Sequence, residues 1–300
     1  MVVGLCCPSC PEAHDDVMDH DWIVGVDGSP DGCTALNWAV AMASDIGGAV
    51  TPLTVWRVPL PISLGARHRV LEVDRLGIEA EAATMASATV DGVDDPAAVV
   101  VEPRVLEGHP APVLLGESNP ASCVVVGRRG VSDLKHRLLG SVSQYLATHA
   151  HGPVVVIPAC WTRTPCRRIV VGFDGSAHAA AALRWALDVA PPDAQITALI
   201  AIDLVPWLRP ESVEERYADI LDEARQRLLA AVDDVDPTRR AERSVVLHGA
   251  RQALAAAGAD ADLIVVGPRG IGGVARTVLG SVTTWLLHEA PCPVAIVPSQ

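Results

Sequence analysis

One sequence pattern occurs twice in the chain. Residues 22–29 read WIVGVDGS and residues 168–176 read RIVVGFDGS, so each copy is an apolar run that ends in Asp-Gly-Ser. A helix-like segment follows each run, and Trp38 and Trp185 stand at the same distance after the Asp in the two copies. We expect both tryptophans to face the core. An internal repeat constrains the fold strongly, because both copies must form the same supersecondary units.

The correspondence continues to the end of the chain. Further apolar runs match in order, at 51–59 and 195–203, at 121–130 and 261–270, and at 151–159 and 291–299. Long amphipathic helices are predicted at about 70–90 and 212–235, and third strands are predicted to end at 107–108 and 248–249.

The apolar runs predict the fold class. They are rich in Val and Ile and do not alternate with polar residues, which is typical of parallel strands covered on both faces. Strands that alternate with helices predict an α/β fold. We predict two tandem five-stranded parallel sheets, doubly wound and Rossmann-like, with four helices in each half. The predicted boundaries are a disordered tail at 1–20, a first domain at 21–158, a linker at 159–167 and a second domain at 168–300.

Charge and hydropathy argue against two classes of partner. The formal net charge is −13, from 36 acidic and 23 basic residues, whereas nucleic-acid binding needs a surplus of Lys and Arg. The apolar runs are far shorter than the ~18 residues that a membrane helix requires. The first residues also lack a basic region followed by a long apolar core, so they do not resemble a signal peptide. We therefore expect a cytoplasmic protein without a nucleic-acid or membrane partner.

The eight cysteines show no disulfide framework. Cys33, Cys123 and Cys292 lie in apolar segments and are predicted to be small core residues. Cys7-Pro-Ser-Cys10 offers a metal or redox alternative. A zinc site usually has a second ligand pair at a defined spacing, and none follows here. We favour a tail without a metal.

A glycine-rich loop follows the fourth predicted strand of each half. The spacing is Gly-x2-Gly-x9-Gly-Ser, and the residues are Gly127, Gly130, Gly140 and Ser141 in the first copy, and Gly267, Gly270, Gly280 and Ser281 in the second. A helix-like segment begins at each Ser. Its first-turn N–H groups have no partner within the helix, and together with the helix dipole they attract phosphate oxygens. Arg129 and Arg269, within the loops, add a charged donor. The duplicated spacing predicts two nucleotide phosphate sites.

These motifs resemble the universal stress protein family in its tandem form. The resemblance rests on the Asp-Gly-Ser strand ends, the duplicated loop and the closing strands of the type Pro-Val-x-Val-x-Pro, and it extends over about 21–299. It implies the five-stranded fold and the ATP-binding branch of the family, with ATP as ligand and Mg²⁺ as an optional companion. It also implies an internal pseudo-dimer, and leaves a homodimer and an unidentified protein partner open.

The resemblance also implies roles for individual residues. Asp27 with Gly28, and Asp174 with Gly175, would lie on the ribose and adenine side. Val58, paired with Ala201 as its repeat partner, would lie beside adenine. The triphosphate would be held by Gly127, Arg129, Gly130, Gly140, Ser141, Val142 and Ser143 in the first site, and by Gly267, Arg269, Gly270, Gly280, Ser281, Val282 and Thr283 in the second.

Two departures from the family pattern bear on these roles. The histidine usual near the end of the second strand is replaced by Arg57 in the first half and Ile200 in the second. Pro268 stands inside the second loop and lacks an N–H donor. We therefore expect the second site to bind differently or more weakly.

Two other functional classes stay open. An ATP hydrolase needs a positioned water and usually a metal held by carboxylates, and the only acids near the loops in both halves are Asp27 and Asp174. No Gly-x4-Gly-Lys-Ser/Thr string is present, so a P-loop ATPase is not indicated. We favour binding, with slow hydrolysis at most. The third class is an interaction scaffold whose loops bind nothing.

Overall fold

The computed structural model describes 21–58, 74–93, 99, 103–119, 122–130, 139–159, 161–162, 166–203, 210–271 and 279–299. The elements of the first half are β1 (Asp21–Gly25), α1 (Pro30–Ile46), β2 (Val50–Trp56), α2 (Arg75–Asp91), β3 (Arg104–Glu107), α3 (Pro110–Glu117), β4 (Ser122–Gly127), α4 (Ser141–His149) and β5 (Val154–Ile157). The elements of the second half are β6 (Arg168–Gly172), α5 (Ala177–Val189), β7 (Gln195–Ala201), α6 (Pro210–Val235), β8 (Ala241–Val246), α7 (Ala250–Gly258), β9 (Leu263–Val266), α8 (Ser281–Glu289) and β10 (Val294–Ile296).

The predicted alternation of strands and helices is confirmed in both halves. Some boundaries differ from the prediction: α2 begins at Arg75, β2 ends at Trp56 rather than near 59, and β8 ends at Val246 rather than at 248–249. The predictions for 1–20, including Cys7, Cys10 and a disordered tail, lie outside the described residues.

The ten strands form one continuous sheet in the order β3-β2-β1-β4-β5-β10-β9-β6-β7-β8. Every neighbouring pair is parallel except β5 and β10, where Val155 lies opposite Ala295 in an antiparallel ladder. The two predicted five-stranded sheets are therefore joined edge to edge. This pairing satisfies the N–H and C=O groups that each half would otherwise expose on an edge strand. The order is symmetric about the β5–β10 seam, as an internal pseudo-dimer requires.

Helices cover both faces of the sheet and divide the core into two layers. One layer contains buried residues of α1, α5 and α6, together with Val155 and Ala295 of the seam. The other contains buried residues of α3, α4, α7 and α8, together with Val154 and Val294. Each layer therefore runs across both halves. The burial of the strands on both faces explains their unbroken apolar runs.

The aromatic and cysteine predictions can be checked against this core. Trp38 is buried and meets Trp22 edge-on with ring centroids 5.8 Å apart, and Trp185 is partly buried against the same layer. Cys123 and Cys292 are buried as predicted, whereas Cys33 is only half-buried. Burial raises the pKa of the Cys123 thiol, so this group is an inert core residue rather than a reactive thiolate.

A second link between the halves is made by Arg128. It follows β4 in the first loop, and its guanidinium donates to the carbonyl oxygens of Ala290 (2.6 Å) and His288 (3.5 Å) at the end of α8. A cation is favourable there because the last carbonyls of a helix lack intrahelical partners. Pro268 occupies the repeat position of Arg128 and cannot make this contact; a cavity of about 50 Å³ lies beside it instead.

We expect Arg128→Met to lower the free energy of unfolding by about 1–3 kcal/mol, because it removes a charged donor from two helix-end carbonyls in a partly buried contact. The measurement is urea unfolding followed by circular dichroism. Arg184→Met is the matched control, since Arg184 is exposed on α5, and a surface change of this kind stays within about 0.5 kcal/mol. Equal stability of the two variants would contradict the role given to Arg128.

Candidate functional site

The glycine loops return to the sheet in the same way in both halves. Gly140 N–H donates to Arg128 O, and Gly280 N–H donates to Pro268 O, each at 2.8 Å. Gly140 and Gly280 are the N-caps of α4 and α8, and neither cap has a side-chain hydrogen bond. In contrast, Ser29 caps α1 with its side chain. Among the described residues, no side-chain hydrogen bond caps the first-turn N–H groups of α4 and α8, which is the arrangement that suits an anion.

The third residues of these helices have a structural role. Ser143 Oγ donates to Arg128 O (3.1 Å) and Gly140 O (3.0 Å), and Thr283 Oγ1 donates to Gly267 O (2.8 Å). Both side chains are buried. Their hydroxyl groups hold the loop carbonyls against the helix start. By contrast, the side chains of Ser141 and Ser281 are exposed.

The aspartates that follow β1 and β6 meet the loops. Asp27 Oδ1 and Asp174 Oδ1 each accept the N–H of the Ser two residues on, at 3.0 Å. Asp174 Oδ2 also accepts the N–H of Ile271 at 3.0 Å. A Cβ added to Gly130 would lie 2.5 Å from Asp27 Oδ2, so this loop glycine is required by close approach. Gly28 and Gly175 have φ of 77° and 83°, which lets the chain turn directly after each aspartate.

A cavity opens over each loop, of about 350 Å³ in the first half and 520 Å³ in the second. Both volumes are within the range of small-molecule sites. The linings correspond residue by residue. The predicted residues among them are Asp27, Gly127, Arg129, Gly130, Gly140, Ser141, Val142 and Ser143 in the first cavity, and Asp174, Ala201, Gly267, Arg269, Gly270, Gly280, Ser281, Val282 and Thr283 in the second. The apolar floor comes from Leu53 and Leu114 in one, and from Leu199 and Leu254 in the other.

The predicted pairing of Val58 with Ala201 is wrong. Gly25 lies opposite Leu53 in the β1–β2 register, and its repeat partner Gly172 lies opposite Leu199. The counterpart of Ala201 is therefore Val55, two residues beyond Leu53. Val55 lines the first cavity, and Val58, which follows the strand, is not among the lining residues described.

The same register changes the comparison made for Arg57. Its repeat partner is Asp203 rather than Ile200. Arg57 Nη1 lies 3.3 Å from His109 Nδ1, outside the set of residues that line the first cavity. Arg57, which replaces the histidine usual in the family, is therefore not among the residues that line the first cavity.

Pro268 lacks an N–H, and the first loop shows how the corresponding N–H is used. At the same position in the first loop, Arg128 N–H donates to Ile157 O of β5 at 2.7 Å. This N–H pairs with β5 and is not available to an anion at the start of α4. Pro268 therefore removes no phosphate donor from the second loop.

Sequence reasoning missed one pair of residues beside the loops. Asp31, in the first turn of α1, is buried, and its Oδ2 accepts Arg129 N–H at 3.1 Å and lies 3.5 Å from Arg129 Nε. His178 stands at the repeat position on α5, and its Nδ1 accepts Ser299 N–H at 2.9 Å. Burial lowers the pKa of His178, the Arg269 charge acts in the same direction, and Asp174 opposes them. Alignment of the two Asp-Gly-Ser motifs would have revealed this pair.

The described part of the chain lacks two kinds of feature. No group of three or more His, Cys, Asp or Glu side chains is arranged to hold a metal ion there. None of its helices combines the length and the apolar character needed to cross a bilayer.

The chain was compared with known proteins. The family model described as the universal stress protein family matches residues 22–158 and again 165–298. A universal stress protein of Mycobacterium tuberculosis is 33% identical over 297 residues, covering 92% of this chain and 96% of that protein. A second from the same species is 31% identical over 300 residues, covering 91% and 93%. The crystal structure of a universal stress protein from Archaeoglobus fulgidus has a TM-score of 0.65 at 20% identity, covering 93% and 98%.

The fit of Gly127 against α1 generates a prediction. A Cβ at Gly127 would lie 2.7 Å from the backbone carbonyl carbon of Asp31, so we expect Gly127→Ala to cost about 1–3 kcal/mol of unfolding free energy. Gly116→Ala is the control, because nothing lies within 4 Å of its added Cβ and alanine favours the helix. It should be neutral or stabilising by up to about 1 kcal/mol in the same urea titration. A stable Gly127→Ala variant would show that α1 can move away from the loop.

Proposed function

Since this chain belongs to the universal stress protein family, we propose that each half binds one adenine nucleotide and that the protein acts as an ATP-responsive regulator of stress or dormancy in the cytoplasm. The observation that carries the proposal is the pair of helix starts, Gly140-Ser141 and Gly280-Ser281, whose N-cap residues are glycines without a side-chain hydrogen bond. Each faces a cavity of nucleotide size that also contains a loop arginine.

Each cavity offers three groups of residues that suit the phosphates, the ribose and the base of a nucleotide. The first-turn N–H groups and the loop arginine suit the phosphates. Asp27 or Asp174, at the carboxyl end of its strand, offers acceptor oxygens for ribose hydroxyls. The leucines of the floor suit the flat, weakly polar base.

The contacts of the acids favour binding over hydrolysis. Asp27 and Asp174 each accept a backbone N–H, which holds the carboxylates to their own turns. A catalytic base would have to reach an attacking water within hydrogen-bond distance. We therefore propose a regulator whose bound nucleotide stabilises the starts of α4 and α8 and so alters a surface read by a protein partner.

The test is calorimetric titration with ATP, together with mass spectrometry of any nucleotide released on denaturation. We expect two equivalents of adenine nucleotide per chain. Ser141→Asp is expected to abolish one equivalent and Ser281→Asp the other, because a carboxylate at the helix start repels phosphate. The same carboxylate interacts favourably with the helix dipole, so the fold should be retained.

Ser141→Asn and Ser281→Asn are the uncharged counterparts and should weaken binding far less. Ser87→Asp places the same new charge on the exposed face of α2 and should leave both equivalents bound. If the unmodified protein neither releases nor binds nucleotide, the proposal fails in favour of a scaffold. Phosphate release well above that of the double Ser→Asp variant would favour the hydrolase.

A further inference from the structure

An open groove adjoins the second cradle, which is the glycine loop with the start of α8 that lines the second cavity. The groove has a volume of about 430 Å³, within the range of small-molecule sites. Two helices pass from the cavity into the groove. Ser281 lines both, and Ala250 of the cavity is followed directly by Arg251 of the groove. The lining residues of the groove are Arg251 of α7, and Ser281, Thr284, Trp285, His288 and Glu289 of α8.

Trp285 lines the groove one helical turn beyond Ser281. The two residues are four apart in sequence, so they lie on the same face of α8. Trp285 is half-buried, because part of its side chain packs against the core and the rest stays accessible. At the repeat position, Tyr145 stacks on His149 with ring centroids 4.4 Å apart. Glu289 replaces His149 in α8 and has no ring to stack on the indole. The indole of Trp285 can therefore receive the ring of a ligand.

The near end of the groove suits a chain of phosphates. Arg251 is exposed in the first turn of α7, where the helix dipole disfavours a cation. A phosphate beside Arg251 would interact favourably both with this charge and with the dipole. The N-cap of α7, Gly249, has no side-chain hydrogen bond among the described residues. Ala250, the first residue of α7, carries an N–H, whereas Pro110 at the start of α3 carries none.

The far end of the groove contains an acid, Glu289. It lies eight residues after Ser281 along α8, which separates it from the helix start by about 12 Å. Arg128 of the first half donates to the last carbonyls of α8, and its charge also interacts with that of Glu289. The carboxylate is therefore remote from phosphates at the helix start, and it can accept the amino N–H of a purine base.

We propose that the second site binds dinucleoside polyphosphates, in which a chain of phosphates joins two nucleosides. One nucleoside occupies the cavity, the phosphate chain crosses the starts of α8 and α7, and the second base stacks on Trp285. This inference rests on the proposed function and names a ligand class for the second site. ATP has no second base to place in the groove, so Trp285 distinguishes ligands with two bases from ligands with one.

Two ligands with the same number of phosphates isolate the second base. Diadenosine tetraphosphate has a nucleoside at both ends of the chain, and adenosine tetraphosphate has one. Both are titrated by calorimetry into the Ser141→Asp variant of the full chain, in which the second site is left to bind. We expect diadenosine tetraphosphate to bind about ten-fold more tightly, because a base gains affinity by stacking on an aromatic side chain. The higher charge of adenosine tetraphosphate acts against this preference.

Substitutions in the same background assign the preference to the groove. Trp285→Leu keeps an apolar side chain against the core and removes the ring, so it should abolish the preference and leave the affinity for ATP unchanged. Tyr145→Leu makes the matched change in the first half and should leave the preference intact. Arg251→Gln should weaken both tetraphosphate ligands by a similar factor, since they share the phosphate chain.

Tryptophan fluorescence gives a second measurement. Diadenosine tetraphosphate should quench it more than adenosine tetraphosphate does, and Trp285→Leu should remove the difference. Trp285→Tyr keeps an aromatic ring and should retain most of the preference, which separates the loss of stacking from a disturbed fold.

Equal affinities of the two tetraphosphates for the Ser141→Asp variant would overturn the inference, and so would a preference that survives Trp285→Leu. Continued binding of ATP in those cases would leave the proposed function intact. Absence of nucleotide binding by the unmodified protein would overturn both.

Discussion

The antiparallel pairing of β5 with β10 is the interaction on which the rest of the structure depends. Within each half every pair of strands is parallel, so the carboxyl ends of its five strands all lie at the same end of the sheet. Because β5 and β10 are antiparallel, the carboxyl ends of the strands point in opposite directions in the two halves. The two glycine loops, which follow β4 and β9, therefore lie at opposite ends of the strands. The same seam joins the two core layers across the halves, since Val155 and Ala295 belong to one layer and Val154 and Val294 to the other.

This geometry explains why the first loop can contact a helix of the second half. α8 begins at the second loop and runs back across its sheet, so its last carbonyls reach the edge at which the first loop lies. Arg128 donates to those carbonyls from within the first loop. A residue adjacent to Gly127 and Arg129 is thus fixed to the helix whose N-terminus forms the second cradle. Pro268, at the repeat position, has no side-chain donor and cannot make the reciprocal hydrogen bond.

Much of the fold could be predicted from sequence because each strand and helix is encoded twice, so one copy could be checked against the other. The runs at 121–130 and 261–270 became β4 and β9 with their loops, and Trp38 and Trp185 took the expected places against the core. The errors arose where three-dimensional register decides. Val58 was paired with Ala201 by position along the chain, whereas the β1–β2 and β6–β7 registers pair Val55 with it.

The effect of Pro268 could not be predicted from the sequence, because it depends on the hydrogen-bond partner of the N–H of Arg128, its repeat counterpart. The contact of Arg128 with α8 depends on the seam and so lay beyond any local pattern. Asp31 is different, because it stands two residues after an aligned motif and its repeat counterpart, His178, can be read from the second copy. Its importance follows only from its burial and from its distance to Arg129. The sequence therefore predicts the glycine loops, whereas only the tertiary contacts show which charged side chains lie beside them.

A fused pair of domains has a freedom that a symmetric dimer of one chain lacks. In a dimer of identical chains, any residue beside one loop stands beside the other as well, and the two sites are equivalent in the symmetric state. Here the residues that hold the fold of the cradle, Gly140 and Gly280 with the aspartates after β1 and β6, are the same in both copies. The residues that differ, Asp31 against His178 and Arg128 against Pro268, change the charge of the cradle or its link to the other half. The helix starts and the aspartate contacts are therefore repeated in the two halves, while the side chains beside them differ. Because both halves belong to one chain, the pairing of β5 with β10 that joins them is intramolecular.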